Sequence, residues 1–186
     1  MVRIETNKVI LTPLRLKQMQ AFKTLAMDDR IKYMVYYPMY DMDAIRDFLL
    51  KSNDNWFHYE YDDVVPSNLS FSVVPRDISE GEFSSRDCIG VITLYFDTYT
   101  IKQCIELSWL LHFSHQGRGL MTEAVKAVMD WAQQKYQPDG FFACCDQRNE
   151  SSRRLCERLN MRFDRCQFEH GREEYRYVKS CKRPSL

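Results

Sequence analysis

The sequence has no excess of charge of either sign, with 26 Lys and Arg against 26 Asp and Glu in 186 residues. That balance gives no electrostatic case for nucleic acid or an anionic membrane as a partner. It has no apolar run near the roughly 20 residues a membrane-spanning helix needs. Its opening, Met1-Val2-Arg3-Ile4-Glu5-Thr6-Asn7, lacks the apolar stretch of an export signal. Seven cysteines are present, none spaced as Cys-x-x-Cys, and there is no HExxH or paired Cys/His spacing. No metal site is therefore expected. An odd cysteine count without an export signal fits reduced thiols in a cytoplasmic protein, most of them serving as small apolar core residues. Repeats, low-complexity tracts and linkers are also missing, so a single domain over residues 1–186 is expected.

Periodic apolar patterning is what the sequence does contain. Lys8 to Pro13 reads as a first strand. Leu14, Leu16, Met19, Phe22, Leu25 and Ala26 then share roughly one helical face. A second helix is predicted to start near Asp41 or Asp43, with Ile45, Phe48 and Leu49 as its stripe. Asn68 to Val74 alternates like a strand, and 77–87 reads as a polar loop. Cys88 to Phe96 and Ile105 to Phe113 are strand candidates that can pair as a hairpin. Leu120, Ala124, Val125, Val128, Met129, Trp131 and Ala132 recur at helical spacing. Phe141 to Cys145 fits a buried strand, and Asn149 signals a helix start ahead of Leu155, Cys156 and Leu159. Met161 to Phe168 and Glu174 to Cys181 read as two final strands joined at His170-Gly171. The order predicts an α/β (α+β) fold, a mixed sheet flanked by about four helices.

The turn Gln116-Gly117-Arg118-Gly119 lies between a strand and a helix. The first N–H groups of a helix have no intrahelical acceptors, and the helix dipole adds partial positive charge there. Two glycines let an anion approach the backbone, and Arg118 offers a charge-assisted contact. A plain turn before a helix explains the same residues equally well. No GxxxxGK[ST] is present, which argues against a nucleotide-hydrolysing P-loop, and no GxGxxG is followed by an acidic strand end, which argues against a dinucleotide fold.

At these residues the sequence resembles the GCN5-related N-acetyltransferase (GNAT) superfamily, whose acetyl-CoA loop reads Gln/Arg-x-x-Gly-x-Gly/Ala. Gln116 and Gly119 match. Met121 replaces the last, small residue, so the helix start is expected to sit differently against the pyrophosphate. The run Thr122-Glu123-Ala124-Val125 and the approach from Ile105 to His115 look most like the branch that acetylates ribosomal-protein N-termini. A second motif agrees: Asn149-Glu150-Ser151-Ser152 resembles that branch's Asn-x-x-Ser. Asn160 stands where the family has Gly in Leu-Gly-Phe, and it tolerates a left-handed helix end. The family's sheet is mostly antiparallel with a splayed central strand pair.

The resemblance implies direct acetyl transfer from acetyl-CoA to an amine acceptor, a protein N-terminus or a small molecule. A non-catalytic acetyl-CoA-binding module is the competing class, and a phosphate-binding protein unrelated to coenzyme A is a third. Cofactor contacts are expected from Leu110, Leu111 and His112 on the strand, from Gln116, Gly117, Arg118, Gly119, Leu120, Met121 and Thr122 in the loop, and from Asn149 and Arg154. Glu106 is the candidate base for the amine proton, against a plain exposed strand Glu. Ser152 is the candidate donor to the leaving thiolate, against a local capping role. Arg153 is a further phosphate candidate, and a covalent route through Cys144 or Cys145 stays open. Trp109 and Phe113 read as core or pocket wall. Tyr33, Tyr36, Tyr37 and Tyr40 either line the acceptor groove or pack the helices. A homodimer through the C-terminal strands is compatible with the sequence.

Overall fold

The structure is a computed structural model and describes residues 2–32, 41–62, 64–76, 88–96, 104–169 and 171–181. The N-terminal part holds β1 (Ile4–Glu5), β2 (Val9–Pro13), α1 (Met19–Ala26), α2 (Asp29–Lys32) and α3 (Met42–Tyr61). The middle holds β3 (Asn68–Pro75), β4 (Gly90–Phe96) and β5 (Cys104–Leu111). The rest alternates α4 (Leu120–Tyr136), β6 (Gly140–Asp146), α5 (Glu150–Arg158), β7 (Arg162–Glu169) and β8 (Arg172–Ser180). The α/β class is as expected. Among the described residues the α-helices number five rather than about four, because α2, at four residues, is too short to show a period. The predicted loop at 77–87, the hairpin turn at 97–103 and the tyrosine cluster at 33–40 lie outside the described residues.

All eight strands form one sheet in the order β1-β2-β3-β4-β5-β6-β8-β7. Every neighbouring pair is antiparallel except β5 and β6, which run parallel and are joined through α4. A parallel pair needs such a crossover, because no tight turn can reverse the chain twice.

Helix α4 buries Leu120, Met121, Ala124, Val125, Val128, Met129 and Ala132, one stripe at three- and four-residue spacing. With Leu155, Cys156 and Leu159 it closes the larger core cluster over Ile92, Leu94, Ile105 and Leu107. A second cluster joins α1, α2 and the first half of α3 to Leu14, Cys88 and Val91. Val91 and Ile92 are adjacent on β4 yet belong to different clusters, so the clusters cover opposite faces of the sheet. Asp41 caps α3 by accepting from the Ala44 N–H at 2.8 Å. Asn160 takes φ 58°, the left-handed helix end expected of it. No described helix is long and apolar enough to cross a membrane.

Candidate active site

The parallel pairing of β5 with β6 covers only Cys104↔Gly140, Ile105↔Phe141 and Glu106↔Phe142. Beyond Glu106, β5 stays on β4 as far as Leu111, while β6 follows β8 to Asp146. The two central strands therefore part, and a cleft of about 660 Å³ lies where they diverge. Its walls come from Trp109, Leu110 and Leu111 of β5, the loop and first turn of α4, and the first turns of α5.

The ladder decides which peptide groups face this gap. Phe96 donates to Ser67 O, so residues of its parity on β4 face β3, and Val91, Thr93 and Tyr95 face β5. Their partners Leu110, Ser108 and Glu106 therefore turn their peptide groups onto β4. The His112 N–H follows suit and donates to Ile89 O at 2.8 Å. Trp109 and Leu111 have the opposite parity, so their N–H and C=O groups point into the gap. This corrects the backbone assignment made from sequence: of Leu110, Leu111 and His112, only Leu111 offers its peptide group, and Trp109 joins it. The parity follows from register, which a lone strand pattern does not contain.

The glycine loop follows at once. Gly117 and Gly119 both have φ 75°, and Gly119 is the N-cap of α4. That left-handed conformation favours glycine. The first helical bond is Glu123 N–H to Gly119 O at 3.2 Å. Among the described residues, the N–H groups of Leu120, Met121 and Thr122 have no protein acceptor, and all three residues line the cleft. Such a set of free donors at a helix start suits an anion. Gln116 braces the loop by donating from Nε2 to Leu111 O at 3.2 Å. Met121 is buried. Its Cε lies 3.0 Å from where a Cβ on Gly90 would stand, so the absent side chain of Gly90 makes room for the methionine.

Four arginines line the cleft (Arg30, Arg148, Arg154 and Arg158), with Glu150 as the single carboxylate among the lining residues. Arg30 is held by Asp28 and stacks over the Phe113 ring at 4.4 Å. Arg148 is fixed by the buried Asp146, and this pairing holds the Asp146 carboxyl down at about 2. Arg154 pairs with Glu150 at 3.1 Å. Arg153 turns away, donating to Gln147 O and stacking on Tyr175. Arg118 is not among the cleft residues. It lines a smaller hollow with Lys8 and Arg76, and its carbonyl accepts from Lys8 Nζ at 3.2 Å. Arg30 escapes sequence reasoning because a distant segment brings it in, whereas Arg148 directly precedes Asn149 and Arg158 repeats Arg154 one helical turn on.

Asn149 is the true cap of α5. Its Oδ1 accepts from the Ser152 N–H at 3.1 Å. Ser152 is thereby relieved of capping, and its side chain lies in the cleft wall. Its Oγ accepts from Trp109 Nε1 at 3.3 Å.

Glu106 is placed differently. Its neighbours Ile105 and Leu107 belong to the α4 face, so Glu106 lies on the opposite face with its register partners Tyr95 and Phe142. It stands at the last paired position before the strands part. Burial raises its carboxyl above the usual range; Arg176 opposes this and Glu169 and Glu174 add to it. Burial also pushes the Cys144 and Cys145 thiols up to about 12, which disfavours either as a thiolate nucleophile.

The arrangement thus joins a pair of strands opened at mid-length, a row of free helix-start donors, a cationic rim and a hydroxyl in the wall. An elongated anionic ligand with a reactive end at the strand fork fits these features. The family described as "Acetyltransferase (GNAT) domain" matches residues 8–162. No curated protein sequence matches the chain significantly. Among solved structures, an acetyltransferase of the GNAT family from Bacillus anthracis is 18% identical, with 96% of this chain and 98% of that one covered and a TM-score of 0.75. The ribosomal-protein-S5-alanine acetyltransferase from Vibrio fischeri is 15% identical, with 97% of each chain covered and a TM-score of 0.75. RimL, a ribosomal L7/L12 alpha-N-protein acetyltransferase solved in complex with coenzyme A, is 14% identical, with 96% of this chain and 98% of that one covered and a TM-score of 0.73. The chain belongs to the GNAT acetyltransferase family and is an acetyl-CoA-dependent N-acetyltransferase.

Proposed function

We propose that the chain acetylates a protein N-terminal α-amine by direct transfer in a ternary complex. The observation that carries the reading is the fork between β5 and β6, which opens onto the free N–H groups of Leu120, Met121 and Thr122. In this reading those donors and Gly119 hold the pyrophosphate, with Arg148, Arg154 and Arg158 around it. The peptide groups of Trp109 and Leu111 bind the pantetheine arm as an added strand. Bound acetyl-CoA supplies an acyl group activated as a thioester. One of the gap-facing N–H groups polarises its carbonyl. Glu106, on the opposite face at the fork, takes the amine proton directly or through water. Ser152 donates a hydrogen bond to the leaving thiolate.

The α-amine as acceptor is supported by the branch-like motifs at 105–124 and 149–152 and by neighbours whose own substrates are ribosomal proteins. A cytoplasmic setting fits the seven free thiols. The homodimer would use the edge strand β7, where Phe163 and Phe168 are exposed.

Peptides with free α-amines, the same peptides blocked at the α-amine but carrying free lysines, and polyamines test the acceptor together. Mass spectrometry after incubation with acetyl-CoA is expected to find the acetyl group on the α-amine. Modification of lysines or polyamines alone would transfer the assignment to a side-chain or small-molecule acceptor.

A further inference from the structure

Trp109 sits opposite Ile92 on the face covered by α4 and α5, and it shares the cleft wall with Ser152 across the fork. Its indole Nε1 donates to Ser152 Oγ at 3.3 Å. From these contacts we infer that Trp109 is a positioning residue, which fixes the Ser152 hydroxyl as a donor directed into the cleft. The inference rests on the role proposed above for Ser152.

The chemistry of the two groups sets the direction. An indole N–H only donates. The Ser152 oxygen must therefore accept from it with a lone pair, and the hydroxyl proton must point elsewhere. A serine hydroxyl near a helix start can instead bond the helix backbone. Here that turn is already capped by Asn149, whose Oδ1 holds the Ser152 N–H. Among the described residues the Ser152 hydroxyl has no protein acceptor. Its proton is left for a group in the cleft. The same bond ties β5 to the start of α5 and so holds the two walls at a set separation.

In the reaction, the C–N bond forms as the C–S bond breaks. The amine proton leaves toward Glu106, and the sulfur carries away the C–S electron pair as a thiolate that solvent later protonates. Ser152 keeps its proton and donates a hydrogen bond to the sulfur as its charge grows. The Trp109 indole acts one bond further back, so this side chain affects turnover only through Ser152.

A double-mutant cycle tests this. W109F removes the N–H and keeps an aromatic ring. It is expected to lower kcat about tenfold with little change in KM for acetyl-CoA. In an S152A background the same change is expected to cost about twofold or less, because the group it positions is gone. If W109F unfolds, benzothienylalanine at position 109 replaces the N–H with sulfur at constant shape. Equal fold losses in the two backgrounds, or full kcat for the residue-109 variant beside a slow S152A, would overturn the inference alone. An S152A protein at full kcat would overturn the Ser152 role and this inference with it.

Discussion

Glu106 shows how one side chain acquires chemistry from its neighbours. It stands between Tyr95 and Phe142 at the last paired position of the fork, and burial raises its carboxyl. A base must be ionised to act, so kcat/KM should rise with pH through a midpoint above the ordinary carboxylate range. E106Q should abolish that limb. The stability sign is opposite: a carboxyl raised in the folded state opposes folding when ionised, above its ordinary value. E106Q should therefore unfold at a slightly higher temperature than wild type at neutral pH while losing activity. Thermal melts and rate profiles of both proteins check the pair of effects. Residue identity alone offered Glu106, Ser152 and the loop glycines. It could not offer the Trp109 bond or the close approach of Met121 to Gly90, because both depend on tertiary placement.

The elements that position the site are short and depend on their caps. Helix α5 has nine residues, and its start carries both Asn149 and Ser152. Asn149→Ala removes the cap and should cost about 1 kcal/mol of stability. It should also lower turnover, because the first turn that carries Ser152 frays. Chemical denaturation and steady-state kinetics report the two losses separately. Elements with a long period were legible in the sequence: α4 from its apolar stripe, α3 from Asp41, and α5 from Asn149. Two-residue β1 and four-residue α2 were not, since neither is long enough to repeat its period. Nor was the fork itself. A strand reads alike whether its neighbour runs parallel, runs antiparallel or departs halfway, and only the pairing distinguishes them.

At the scale of the molecule, one eight-stranded sheet would carry the two sides of the proposed reaction on its two faces. The loop and α5 belong to the α4 side and Glu106 to the other, while the cleft between the strands reaches across to Arg30 and Ile31 of α2. A ligand that binds only the folded protein stabilises it by mass action, by about 2.7 kcal/mol at a hundredfold excess over Kd. For a chain of this length that should raise Tm by about 5–10 °C. Scanning calorimetry with and without acetyl-CoA checks the shift. The family was legible at this scale because the loop and Asn149-Glu150-Ser151-Ser152 occur in the right order at strand–helix junctions. The surroundings of Glu106 were less so, since Phe142, Glu174 and Arg176 arrive from β6 and β8 without a local motif.

In the proposed complex, acetyl-CoA is held by the backbone donors that follow Gly119. Isothermal titration of acetyl-CoA into wild-type protein and into G119V tests it most directly. Gly119 holds φ 75°, and a β-branched residue there costs about 1–2 kcal/mol in backbone strain and tilts the donors. One site per chain is expected in wild type, and an affinity lower by at least about tenfold in a G119V protein that remains folded. Equal affinity in the two folded proteins would contradict it.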